Sequence, residues 1–189
     1  MKSARLGVVP EARVPVPERD APWRVETPQG GTWVREGGTV DSVQWVDLPR
    51  GLPHDLAAVE RAYFAWVPRL SMGVVRARAV GEGLSLGLAP LHWPIAIRLG
   101  SAEEGEGRRA RGIEGGLLAD PGGEIAFEVY PRAEGQRLAV AVRRLRPRLP
   151  RRLYFYAQAP LHERATFAFL RQAVRESARR AEAGDRGGA

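Results

Sequence analysis

Between Leu70 and Val142 the chain consists of short alternating stretches cut by glycine-bearing turns, and this constrains its fold more than any other feature. The stretches "GVVRARAV", "LSLGLAPL", "WPIAIRLG", "RRARGIEGGLLA", "EIAFEVYP" and "QRLAVAV" follow a strand-like period rather than a helical step. Glycines at 81–83, 101–107, 120–123 and 133–135 mark the turns. Short strands at this spacing form an antiparallel meander. In "EIAFEVYP", Ile125, Phe127 and Val129 point one way, while Glu124, Ala126, Glu128 and Tyr130 point the other. One face is therefore apolar and the other wetter.

Helical patterns flank the meander. "TVDSVQWVDLP" reads as a strand ending at Pro49, and "LPHDLAAVERAYFAWVP" as the helix after it. Leu56, Val59, Tyr63, Trp66 and Val67 share one face of that helix. Pro53 suits its first turn and Pro68 is expected to end it. Beyond Val142, Leu153, Tyr156, Ala157, Leu161, Ala165 and Ala168 follow a helical step, and Phe167, Leu170, Val174 and Ala178 continue an apolar stripe. Pro160 should kink this helix or divide it. Residues 151–159 also alternate as a strand would, and periodicity over nine residues leaves both readings open. Residues 1–38 read as a proline-rich N-terminal arm, with prolines at 10, 15, 17, 22 and 28. Trp23 and Trp33 call for a surface under the arm: its own domain or, alternatively, a second copy in a homodimer. The organisation expected is an arm (1–38), a folded domain (39–183) and a disordered tail (184–189).

Composition narrows the chemistry. A chain of 189 residues, 44% hydrophobic and 27% charged, has the make-up of one globular domain. It has no cysteine, so disulfides, zinc–thiolate sites, iron–sulfur clusters and thiol nucleophiles are excluded. No stretch approaches a membrane span, and the first twenty residues lack the apolar run of a signal peptide. A soluble, cytoplasmic protein is expected. The net charge is +7, and Lys2 is the only lysine. Between Arg137 and Arg180, twelve arginines meet only Glu163 and Glu176, a local net of +10. The basicity therefore belongs to the C-terminal quarter.

An initial strand, the helix "HDLAAVERAYFAWVP", the paired strands "RGIEGGLLADPGGEIAFEVYP" and "QRLAVAVRRLRP", and the closing "APLHERATFAFLRQAV" give an order that resembles the START-like and polyketide-cyclase-like (SRPBCC) helix-grip superfamily, in its uncharacterised bacterial branches. The resemblance covers roughly residues 40–182. It implies an α+β fold in which a curved antiparallel sheet grips a long C-terminal helix, leaving a cavity for a hydrophobic or amphipathic small molecule such as a lipid. The arm is longer than compact members of that superfamily need.

Candidate residues follow from these readings. Trp66, His92, Trp93, Tyr130 and Tyr156 are expected to line the cavity, since tyrosine and tryptophan join an apolar body to a polar tip. His92 suits either acid–base work in the cavity or a hydrogen bond at a strand end. Arg143, Arg144, Arg146, Arg148, Arg151 and Arg152 form an anion-contact set at the entry to the last helix. They support an alternative reading as a basic nucleic-acid or anion-binding module. The reading favoured for them is a solvated loop. A cyclase- or hydrolase-like enzyme in the same cavity is a further alternative, but no catalytic residue, cofactor or metal is assigned. His162 opens "HERAT", where Thr166 stands in place of the second histidine a zinc-binding helix needs, so it reads as a helix side chain. The acidic "EEGEG" at 103–107 reads as a solvated hairpin tip, because a glycine-rich turn cannot hold two carboxyls at a fixed separation. The serines lack a nucleophile-elbow context, and "GEGLSLG" lacks a phosphate-binding helix.

Overall fold

Strands and turns alternate as the glycine spacing predicts. The computed structural model describes residues 23–27, 29–49, 55–90, 95–133 and 135–186. Strands β1 (Trp23–Thr27) and β2 (Gly30–Val34) precede β3 (Val40–Pro49), and helix α1 (Leu56–Leu70) follows. The meander comprises β4 (Val75–Val80), β5 (Gly83–Leu88), β6 (Ile95–Gly105), β7 (Arg108–Gly115), β8 (Ala119–Asp120), β9 (Glu124–Arg132) and β10 (Gly135–Pro147). The chain closes with α2 (Arg151–Leu153), a π-helical turn (Tyr154–Gln158) and α3 (Ala159–Arg186).

All the described strands join one antiparallel sheet, in the order β1-β2-β3-β10-β9-β7-β6-β5-β4, with β8 paired to the end of β10. The protein is thus α+β, with a long C-terminal helix. β3 and β10 lie side by side, while β4 forms one edge of the sheet. The β1–β2 hairpin falls within the segment read from sequence as an arm, yet it extends the same sheet beside β3. Trp33 of β2 is only 2% exposed and packs with Val43, Ala126 and Ala141. At the other end, α3 runs to Arg186, three residues into the expected tail. Residues 1–22 and 187–189 lie outside the described residues.

Asp55 caps α1, its Oδ1 accepting from the N–H groups of Ala57 and Ala58 at 2.9 and 3.1 Å. Pro68 sits within the last turn, so the helix continues two residues past the expected stop. Both α1 and α3 pack on one face of the sheet. There Phe64, Phe127, Leu138, Val140, Phe169 and Leu170 belong to the main core. Tyr63 Oη and Thr166 Oγ1, 3.2 Å apart, link the two helices. Glu60, on the same α1 face, is buried and ion-pairs with Arg109 and Arg111 of β7. A smaller polar group, Thr32, Ser42 and Gln44, ties the hairpin and β3 to Glu163 of α3.

The opposite sheet face carries the second cluster, where small Ala110, Ala126, Ala139 and Ala141 lie beside Trp33, Trp45 and Tyr130. This is the face to which the alternation in 124–131 assigned Ala126 and Tyr130. Glu128 is buried there, and Arg143 grips both its carboxylate oxygens at 2.6 Å. Tyr130 Oη donates to it at 2.6 Å. Burial alone would raise the Glu128 pKa, but the Arg143 and Tyr130 hydrogen bonds and the charges of Arg143 and Arg108 hold it below the usual carboxylate range. Just beyond Arg143, β10 bulges, and Arg144 adopts a left-handed conformation (φ 53°). Its backbone N–H donates to Asp41 Oδ1 at 2.6 Å. Gly123 (φ 80°) lies against this bulge: a Cβ there would sit 2.5 Å from the Arg143 carbonyl oxygen, so only glycine fits.

Candidate functional site: a cavity between the helices and the sheet

Pro160 decides how the last helix meets the sheet. It has no N–H to donate, and its ring conflicts with the Tyr156 carbonyl in a regular α-helix. The preceding turn widens, and the Ala159 N–H bonds to the Tyr154 carbonyl five residues back. One extra residue in a turn shifts the facing by about 100°. The stripe expected from sequence is therefore out of phase before the proline: Leu153 is 50% exposed and Tyr156 85%, whereas Tyr154 is buried. Residues 151–159, open between strand and helix on sequence grounds, are helical.

The inward row that results runs Tyr154, Gln158, His162 and, beyond it, Thr166. With α1 and the sheet its first three members enclose a cavity of about 150 Å³. Tyr63, Phe64, Val67 and Leu70 line it from α1, and Leu86, Ile97, Ile113, Ile125 and Val142 from the sheet. None of the described lining residues is charged. Leu161 belongs to the lining yet is half exposed, as expected at a mouth. Ser71, near the end of α1, spends its hydroxyl on the backbone of Pro68 and Val75.

Two polar atoms in this apolar wall are buried with no hydrogen-bond partner among the described residues: Gln158 Oε1 and His162 Nε2. Burial pushes the His162 pKa down to about 4, so the ring is neutral at physiological pH. It also raises the Tyr154 pKa, reinforced by the charge of Glu163. A pH dependence follows. The unfolded chain returns His162 to an ordinary value near 6.5 and takes up a proton that the folded state refuses. The stability this histidine contributes is whole above pH 6.5 and is lost as pH falls toward about 4. Denaturant midpoints over that range should fall less steeply for His162→Phe than for the wild type; equal slopes would disprove the depressed value.

Among the described residues, those singled out from sequence do not converge. Trp66 is partly buried against the core next to Val67 but outside the lining; Arg69 sits 5.9 Å from its ring centre. Tyr130 lies on the far sheet face and Tyr156 faces solvent, so neither reaches this cavity. His92 and Trp93 lie outside the described residues, as do Pro53 and His54. Among the arginines, Arg143 is bound to Glu128, and Arg148 pairs with Asp120 at 2.6 Å. Arg144, Arg146 and Arg152 are exposed, and the side chain of Arg151 is outside the described set. Arg144 and Arg146 instead border a polar depression on the other side of the sheet, with Asp41 and Glu124 among its walls. The "EEGEG" segment is a hairpin end, with Glu103, Glu104 and Glu106 exposed.

Sequence reasoning missed Gln158 and His162 as cavity residues. The signal was a step of four from Tyr154 through Gln158 and His162 to Thr166 and Leu170, in which polar residues interrupt an inward row. Among the described residues no group of histidines and carboxylates could hold a metal ion, and no helix is long and apolar enough to cross a membrane. No protein-family model and no curated protein matches the chain.

Proposed function

We propose that this protein binds a small hydrophobic or amphipathic molecule in the cavity between α1, α3 and the sheet. The observation that carries the reading is the cavity itself: about 150 Å³, walled by aliphatic and aromatic side chains, with Gln158 and His162 in its lining and Gln158 Oε1 and His162 Nε2 buried without partners among the described residues. The strand order supports a helix-grip architecture. β3 neighbours β10, the meander continues outward to β4, α1 follows β3, and the long helix follows β10. Binding is favoured over catalysis because His162 has no carboxylate beside it in the described lining to orient it as a base. The nucleic-acid or anion reading draws less support, because Arg143 and Arg148 are already neutralised by carboxylates.

Toluene tests the proposal. A ligand that binds only the folded state stabilises it by about 2.7 kcal/mol at a hundredfold excess over Kd. The thermal midpoint should therefore climb with toluene concentration. Ala165→Phe, which fills the cavity from α3, should fold and lose the shift. If toluene and single-ring compounds that carry a polar group, such as phenol, all leave the midpoint unmoved, the proposal fails.

A further inference from the structure

We infer that the ligand is a neutral, single-ring molecule carrying one hydroxyl group, held between Gln158 Oε1 and His162 Nε2; this rests on the cavity-binding reading above. Size sets the first limit. An apolar cavity of about 150 Å³ accommodates a molecule the size of benzene. A long acyl chain or a fused-ring system exceeds it.

Charge sets the second limit. A carboxylate or phosphate entering this cavity would meet no arginine or lysine in the described lining, and its oxygens would oppose the acceptor Gln158 Oε1. An ammonium group would likewise meet no carboxylate. Anionic and cationic ligands are both disfavoured by the desolvation they would suffer.

Hydrogen-bond chemistry supplies the third. Gln158 Oε1 can only accept, whereas the neutral imidazole of His162 offers Nε2 as a donor when the proton resides there. A hydroxyl satisfies both, donating its hydrogen to the amide oxygen and accepting from the ring. Gln158 and His162 stand one helical turn apart on the inward row, so a single oxygen can address the two. An ether or ketone would leave Gln158 Oε1 unpaired, and a hydrocarbon would leave both atoms unpaired. Phenol is the simplest molecule meeting all three conditions.

The experiment is calorimetric titration of the full chain with phenol, toluene and benzoate, repeated on Gln158→Leu/His162→Phe and on the milder Gln158→Met. In the wild type, phenol should bind at least as tightly as toluene, and benzoate should not bind. In the double variant, toluene should still bind while phenol weakens about tenfold to a hundredfold, the effect of losing paired buried hydrogen bonds. Gln158→Met should move phenol in the same direction, and it serves if the double variant does not fold. Toluene binding with phenol excluded, or benzoate bound more tightly than phenol, overturns the inference but leaves the cavity reading intact. Failure of every ring compound overturns the cavity reading itself.

Discussion

Glu60→Ala is expected to destabilise the protein by about 3–5 kcal/mol, the usual cost of removing one member of a buried ion pair. Glu60 lies on the inward face of α1, its side chain 4% exposed, and receives the Nε–H groups of both Arg109 and Arg111. Removing it leaves two largely buried guanidiniums on β7 facing an apolar helix. Arg111 keeps two carbonyl partners, Glu82 and Gly100, each at 2.7 Å, while Arg109 keeps the carboxylate of Glu104. These remaining contacts place the loss toward the lower part of that range. Glu60→Gln preserves shape but not charge, and should fall between alanine and wild type. Glu104→Ala provides the contrast. Glu104 is largely exposed, so its loss should cost no more than about 1 kcal/mol. Urea unfolding of the three variants measures all of this. Similar midpoints for Glu60→Ala and Glu104→Ala would show that the buried carboxylate adds nothing beyond a surface pair.

Phe127→Ala should cost about 3–5 kcal/mol by a different route, the removal of a large side chain from a packed core. Phe127 is in β9, paired with Val140 of β10 and Arg109 of β7, and is almost completely buried. Its ring stands edge-on to Tyr63 at 5.4 Å and to Phe64 at 6.1 Å, so α1 loses both aromatic contacts together. Phe127→Leu keeps most of the volume and should lose appreciably less. Near-UV circular dichroism distinguishes local repacking from global loss: the aromatic signal of the folded variant should drop while its far-UV signal stays that of the wild type. A Phe127→Ala protein as stable as wild type would mean that this aromatic contact is not part of the folded core.

Turn chemistry and alternation made the meander legible. Glycines at the hairpin ends and the alternation of Ile125, Phe127 and Val129 carry local information that tertiary contacts do not override. The α1 face was equally readable at Val59, Tyr63 and Val67, but Glu60 broke the apolar pattern because its partners arrive from β7. The place of the β1–β2 hairpin beside β3 was obscured because "GGTWV" is buried along its whole length rather than alternately: Thr32 is buried with Ser42 and near Glu163, a residue far along the chain. The cavity lining was harder still. Its sheet side follows from alternation, but the facing of Tyr154, Gln158 and His162 depends on the widened turn before Pro160, and a regular helical step misplaces that turn. Aromatic residues proved poor guides, since Tyr130 found its hydrogen-bond partner on the opposite sheet face.

The strand at the end of the ladder also bears on how copies of the chain can meet. Among the described residues β4 pairs with β5 alone, and Arg76 and Arg78 on it are exposed. A second molecule approaching this edge to continue the sheet would bring its own Arg76 and Arg78 against them. Like charges set across a ladder oppose pairing, and charged edge strands protect β proteins from joining end to end. The exposed arginines of β4 thus oppose the addition of a like strand at this edge.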